Sequence, residues 1–515
     1  MIGIIAKKDF LLNILSVRFV IGFLLCLVII PFTVVVSMDN YLSQVRVYKV
    51  EQEKAEKEFK EVRVWSFLRP TVVKEPVALS IFSNGISNNV GNTSKIKLGE
   101  YPLFPTGHVI TRDNPLLNAF FSIDFSKVIA ILISLIALVF SYDAITRERE
   151  DGTMKLTLTG KISRITFLVG KLTGLMITLL PILLFCYMLA CLIVLVNPEI
   201  AFSASDWQGI LLLFLTSIIY MLVFILVGML ISCLVSRSSM SIILSLLCWI
   251  WFLFLLPNIS NYLSQSIVKT PLYDNVQNAM SEVDKEYNND FIEIFMRIRN
   301  EMNMESTYAW NSNSSGDGER EISGTTKEQI LFYRQLGIWQ FQAMQDNAGK
   351  KWAIQRKFLD GLVRQQSWQQ RIAWLSPSEI FGQATDALCR TDMQSVLKYL
   401  ESVRNYRETF FRYYTDKKLP ESFTYFTNEL FDALYSEEEV KSMGVQKFWE
   451  LMRERDISNV SFSYLNTDDV PRYVSQSVTL ATVLSGAMGR LTALLGLMVA
   501  LLVATIVAFM KYDVR

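Results

Sequence analysis

The sequence predicts an all-α polytopic membrane protein: six transmembrane helices plus a large, mostly helical extracytoplasmic domain with a minor β element. Three observations carry this. Hydrophobic residues make up 51% of the 515 positions and charged residues 19%, where globular chains hold roughly 25% charged. Six separate apolar runs reach or approach the ~20 residues that a helix needs to cross a hydrocarbon core of about 30 Å. Two long segments between them are rich in helix formers, with apolar positions at helical spacing.

Residues 1–37 hold an amphipathic stretch (IGIIAKKDFLLNIL) and a first span near Val17–Val36. That run is too long for a cleavable signal peptide, and no small-residue cleavage site follows it. Residues 38–127 form the first extracytoplasmic segment. Within it, 39–63 read as a charged helix prolonging the span. Thr71–Ile86 alternates between prolines and Asn/Gly, as one or two short strands or an extended stretch do. Residues 87–127 are turn-rich, with Asn114-Pro115.

Residues 128–257 carry spans two to five, near Val128–Ala144, Leu172–Val196, Ile210–Val235 and Met240–Leu256, the last ending at Pro257. Residues 258–487 form the large outer domain. It reads as a helix within 276–304, a Ser/Asn/Gly-rich loop over 305–325, and a long helix to about Trp374 capped by Thr325 or Thr326. Unbroken, that helix spans about 75 Å, with Gly337 and Gly349 as points of break or bend. After a junction at Pro377, Met393–Tyr414 is amphipathic through Val396, Leu400, Val403, Phe410 and Tyr414, and 427–455 is again helical. These stripes are expected to pack on each other. Residues 488–515 give span six, near Leu491–Met510, and a cytoplasmic tail.

Basic residues set the orientation. The loop between spans two and three holds Arg147, Arg149, Lys155, Lys161, Arg164 and Lys171, and that between four and five holds Arg237. The termini carry Lys7, Lys8, Arg18, Lys511 and Arg515, whereas the loop NPEIAFSASDWQ has none. Both termini are therefore expected in the cytoplasm.

Composition also narrows the chemistry. A net charge of +1 gives no field favouring nucleic acid. The single histidine, His108, excludes multi-histidine zinc sites; in FPTGHV it reads as an ordinary surface or packed residue. Of six cysteines, Cys26, Cys186, Cys191, Cys233 and Cys248 fall in apolar runs and Cys389 in a polar one, so no disulfide framework is expected. The spans lack ionisable residues except at ends such as Arg18 and Asp143, which weighs against an ion-coupled transporter. Glu437–Glu439 and Asp468-Asp469 read as solvated or helix-capping carboxylates rather than a cation site. Tryptophans 310, 339, 352, 368, 374 and 449 read as packing rather than a ligand groove. The sequence holds no P-loop and no G-x-S-x-G or H-E-x-x-H motif. No catalysis, metal or cofactor is expected in this chain.

The most specific stretch is SYDAITREREDGTMKLTLTGKISRITFLVGKLTG, residues 141–174. A charged run, Arg147–Asp151, follows span two; a Gly152-Thr153 break opens an amphipathic piece with Met154, Leu156 and Leu158. Such an element either transmits force from a cytosolic partner or simply joins two spans. The stretch resembles the cytoplasmic loop of ABC-2-type transporter permeases through Glu148, Glu150, Gly152, Thr153, Ser163, Arg164, Gly170 and Lys171. PVALSIFSNG, NPLLNAFFSIDF and LSPSEIFGQATDALCRTD resemble a subgroup with a long insertion between spans five and six, which includes gliding-associated and nitrous-oxide-reductase-maturation permeases.

The resemblance implies a type V exporter-like topology in a bacterial inner membrane. It implies that loop 145–171 is a coupling element seated on a P-loop ATPase dimer, which would bind ATP and Mg. Arg147, Glu148, Glu150, Gly152, Thr153 and Arg164 are the expected coupling residues. A second permease, identical or paralogous, is expected to pair with this one, with Gly170 and Gly174 allowing close helix contact at the dimer. Membrane lipid and an extracytoplasmic protein are further expected partners, and nucleic acid is not. The alternative is an ATP-driven scaffold or mechanotransmitter that recruits an outer partner without transport.

Overall fold

The computed structural model describes residues 1–86, 90–103, 123–154, 157, 162–304, 309–314, 317–457, 464–475 and 480–511. His108, Asn114-Pro115 and the loop positions Lys155, Leu156, Leu158 and Lys161 lie outside the described residues. The described chain is mostly helical, with two small antiparallel sheets.

Among the described residues, six helices are long and apolar enough to cross a membrane. Helix α1 (Ile2–Ile14) precedes α2 (Val17–Lys60), whose 44 residues rise about 66 Å. The charged segment after the first span does continue that helix, so α2 joins two hydrophobic cores: Cys26 and Ile30 lie in one and Phe59 in the other. The first core sits among α3 (Phe125–Ser141), α5 (Arg164–Leu195), α6 (Ala204–Leu234) and α15 (Leu480–Lys511). Between α3 and α5 lies α4 (Thr146–Glu150).

The fifth span does not end at Pro257. Helix α7 (Ser238–Ile250) passes through a π-helical turn, Trp251–Leu255, into α8 (Leu256–Ile267). A π turn bonds each carbonyl to the amide five residues on. For Phe252 that residue is Pro257, which has no N–H. The hydroxyls of Ser376 and Ser378 donate to the Phe252 carbonyl instead, at 2.6 and 2.8 Å. Both belong to the start of α11 (Pro377–Leu388), which Ser376 N-caps. Helix α11 inserts into the bundle, stacking Phe381 on Tyr220 of α6 at 4.4 Å.

The rest surrounds the second core and two smaller clusters, one about Ile298 and Phe332 and one about Val440 and Phe448. Strands β1 (Thr71–Val73) and β2 (Thr93–Lys95) pair antiparallel. Helix α9 (Tyr273–Glu301) and α8 run along α10 (Lys327–Ala373), capped by Thr326. Gly337 and Gly349 do not interrupt its 47 residues. The predicted 305–325 loop instead contains a hairpin, β3 (Ala309–Ser314) with β4 (Arg320–Thr325). Most of its residues are polar, and Ala309, Trp310 and Ile322 are too few to announce it by hydrophobic alternation. Helix α12 (Met393–Asp416) buries all five predicted stripe residues. The 427–455 stretch is not continuous: 3₁₀ turns precede α13 (Glu437–Met443), and Gly444 at φ +88° separates it from α14 (Val445–Ile457). Ser436 and Glu439 form a capping box, and Asp469 pairs with Lys417. Trp339, Trp352 and Trp449 stack within the fold, while Trp368 and Trp374 are exposed.

Candidate functional site

The charged run after α3 sits at the end of the bundle where α1, α5 and α7 begin. Its placement follows from local chemistry. At the end of α3 the backbone turns at Tyr142–Ile145, and Ser232 of α6 accepts from the amides of Ile145 and Thr146, each at 3.1 Å. The side chain of Glu150 accepts from the amide of Ser238 at 2.8 Å and from its hydroxyl at 2.6 Å, capping α7. Ser241 donates to the Tyr142 carbonyl at 2.6 Å. Helix α4 is thus fastened to α6 and α7 by short polar side chains.

An ion-pair knot fastens it to α1 and α5. The Lys171 ammonium donates to Glu148 Oε1 at 2.6 Å and to Asp9 Oδ1 at 3.1 Å. All three side chains are nearly enclosed, at 7%, 10% and 10% exposure. Lys8 approaches Glu148 from the surface at 3.3 Å. Glu148 Oε2 is buried without a donor among the described residues. Burial holds the Asp9 carboxyl above its ordinary value, with Lys171 pulling the other way. Beside the knot, Arg18 of α2 donates to Asp143 at 2.9 Å and to the Tyr142 hydroxyl at 2.8 Å, and lies over the Tyr142 ring. A cleft of about 200 Å³ opens between α1 and α4, with Lys8, Asp9, Asp143, Arg147, Glu148 and Lys171 on its walls.

The sequence-predicted residues divide into two sets. Arg147, Gly152 and Thr153 are exposed, and Gly152 takes φ +70° with open space around it. Arg147 lies 3.9 Å from Asp151, at the edge of an ion pair. Glu148 faces inward as part of the knot, and Thr153 donates to its carbonyl at 3.2 Å. Arg164 caps the far end of α15, donating to the Met510 carbonyl at 2.8 Å. Gly170 and Gly174 require correction. They meet α1 of the same chain: a Cβ on Gly170 would lie 2.9 Å from the Ile5 side chain, and one on Gly174 would lie 2.9 Å from Asp9 Cβ. Their close contact is intramolecular, so this stripe is not open to a second permease.

Sequence reasoning missed Asp9, Ser232 and Ser238. Asp9 left a signal, as the one carboxylate in an otherwise apolar and basic N-terminal stretch. The serines left none. Arg490, just outside the predicted sixth span, lies in α15 and pairs with Asp392 at 3.4 Å.

The bundle, the inserted α11 and the fastened charged turn describe a polytopic protein with one exposed, rigidly held element at one end. Comparison with known proteins agrees: the model of the ABC-2 family transporter proteins matches residues 4–514. No curated protein matches the chain. With its six membrane-length helices and a match along nearly its whole length, the chain belongs to the ABC-2 family transporter proteins and is an integral membrane protein.

Proposed function

We propose that this chain is the permease subunit of an ABC transporter, of the subgroup with a long extracytoplasmic insertion. Two permeases form the pathway, and two cytosolic P-loop ATPases supply the hydrolysis, with ATP and Mg bound there and no catalysis in this chain. The chain sits in a bacterial inner membrane, with both termini and α4 in the cytoplasm and the second core outside. The cargo is amphipathic, of peptide or lipid type, in keeping with the size of the outer domain.

The observation that carries the reading is the division of labour in 146–153. Arg147, Arg149, Asp151, Gly152 and Thr153 face solvent, while Glu148 and Glu150 fasten the same turn to three helices. An exposed surface on a stiff mount is what force transmission needs. Closure of the ATPases would push α4, and α1, α5 and α7 would move with it.

The alternative, a mechanotransmitter that recruits an outer partner, draws on a different observation. Helix α2 joins the two cores without a break, so tilting it moves the outer domain. One experiment addresses both. The tagged chain is purified in mild detergent, and ATPase co-purification is measured for Arg147→Glu with Arg149→Glu. Loss of the ATPase supports coupling through α4. Retention of full ATPase content and activity rejects it. Cargo movement in vesicles then separates transport from mechanotransmission.

A further inference from the structure

The cleft between α1 and α4 is mixed in charge and partly apolar. Asp151 joins the wall residues already named, making four carboxylates against three cations. Leu12, Phe140 and Leu175 also line it. Phe140 and Leu175 belong to the membrane helices α3 and α5. Leu12 is exposed, on a stretch of α1 that also exposes Leu11 and Leu15. The cleft therefore stands where apolar spans give way to the charged turn, at the height of lipid headgroups.

One acceptor in its wall is unmet. Glu148 is 8% exposed. Its Oε1 accepts from Lys171 at 2.6 Å and from Lys8 at 3.3 Å, while its Oε2 is buried with no donor among the described residues. A buried acceptor without a donor is costly, and a ligand that brings an N–H removes that cost. Lys8 and Arg147 line the same cleft with more than half of each side chain exposed, so an anionic group there meets two cations. A lone cation leaves those two unanswered, and a lone anion faces four carboxylates. The space of about 200 Å³ equals about six waters at about 30 Å³ each. That is below the ~300 Å³ at which pockets for drug-sized ligands begin, so the enclosed group is small.

We propose that this cleft binds the phosphoethanolamine headgroup of a membrane lipid, with the ammonium on Glu148 and the phosphate on Lys8 and Arg147. Such a group carries an N–H cation and an anion a few bonds apart, which matches the two kinds of wall. A soluble phosphoethanolamine shares that chemistry. The exposed Leu11, Leu12 and Leu15 beside the cleft favour the lipid-borne form, because acyl chains have an apolar surface to follow there. Seated between α1 and α4, the headgroup bridges two elements that the ion-pair knot also joins.

The test is native mass spectrometry of the purified full-length chain, with lipids of identical acyl chains added one at a time. Expected is one phosphatidylethanolamine per chain, bound about tenfold more tightly than either of two others. Phosphatidylcholine has a quaternary ammonium with no N–H to donate, and phosphatidylglycerol has no ammonium. Lys8→Ala weakens the ethanolamine lipid about threefold, the scale of a half-exposed ion pair. Lys7→Ala, one residue away and not in the lining, leaves binding unchanged. Glu148→Gln removes the preference over phosphatidylcholine. Because Glu148 also holds the knot, its melting curve is recorded, and Lys8→Ala decides the matter where that variant does not fold. Equal binding of the three lipids, or equal effects of Lys7→Ala and Lys8→Ala, overturns the site. Displacement of the lipid by an equal concentration of glycerophosphoethanolamine overturns the lipid as the source of the headgroup.

Discussion

Lys171→Met removes the cation that two buried carboxylates share. Methionine keeps the length of the side chain, so packing against α1 is little changed. Asp9 and Glu148 then remain about 90% enclosed with no cation between them, because Lys8 reaches only Glu148, from the surface. Removing one partner of a buried ion pair costs about 3–5 kcal/mol, most of it from the charge left behind. At about 2 °C per kcal/mol for a large cooperative unit, the thermal midpoint in detergent falls by about 6–10 °C. The double variant Lys171→Met with Glu148→Gln leaves a single carboxylate and recovers at least half of the loss. Limited proteolysis reports the location, since α1 is released first: it is held to α5 by this knot and the two glycines. A midpoint within 1 °C of the parent for Lys171→Met, or a double variant no better than the single, would refute the argument that the knot fastens α1 and α4 to the bundle.

Other perturbations probe other joints. Gly174→Leu drives a side chain into Asp9 and the Ala6 backbone; overpacking of about 1–3 kcal/mol and faster proteolysis of α1 are expected, with no change in self-association. Ser376→Ala with Ser378→Ala leaves the Phe252 carbonyl without either donor. About 1–3 kcal/mol of stability is lost, and hydrogen exchange in 249–256 rises while that in α3 does not. Asp386 accepts from Ser83 at 2.7 Å; burial and the charges of Asp124 and Asp392 push its carboxyl up to about 6, against Lys127. A raised carboxyl stabilises the fold relative to higher pH, so the parent loses about 1–3 kcal/mol as pH rises from about 4 through 6. Asp386→Asn flattens that part of the melting profile, and an unchanged profile would reject the assignment.

What the sequence made legible was whatever a single helix writes into its own period. The six apolar runs, the extension of α2 and the stripe Val396–Tyr414 needed no partner to be seen. What it hid was set between elements. The β3–β4 hairpin is mostly polar, with Ala309, Trp310 and Ile322 too few to set up an alternation, and backbone hydrogen bonding leaves no hydrophobic signature. The Gly170–Gly174 spacing announced a close approach, but spacing cannot say to what; only α1 lying across it answers that. Pro257 read as a stop because proline removes a donor. The helix continues because a π turn and two serines from residues 376 and 378 take up the consequence.

The same reasoning changes how the charged motif should be understood. Two acidic residues in one short charged run invite the idea that both touch a partner. Their environments differ: Glu148 is buried and Glu150 is exposed. Glu148 is spent on Lys171, and Glu150 on the amide of Ser238, so each carboxylate is already bound within the chain. A charge engaged in this way holds position, because breaking it to greet a partner forfeits bonds that the partner must replace. The neighbouring residues present more open surface: Arg147 and Asp151 are more than half exposed and Gly152 leaves its surroundings open. Replacing Glu148 or Glu150 therefore tests the mount, and replacing the exposed arginines tests the surface it carries.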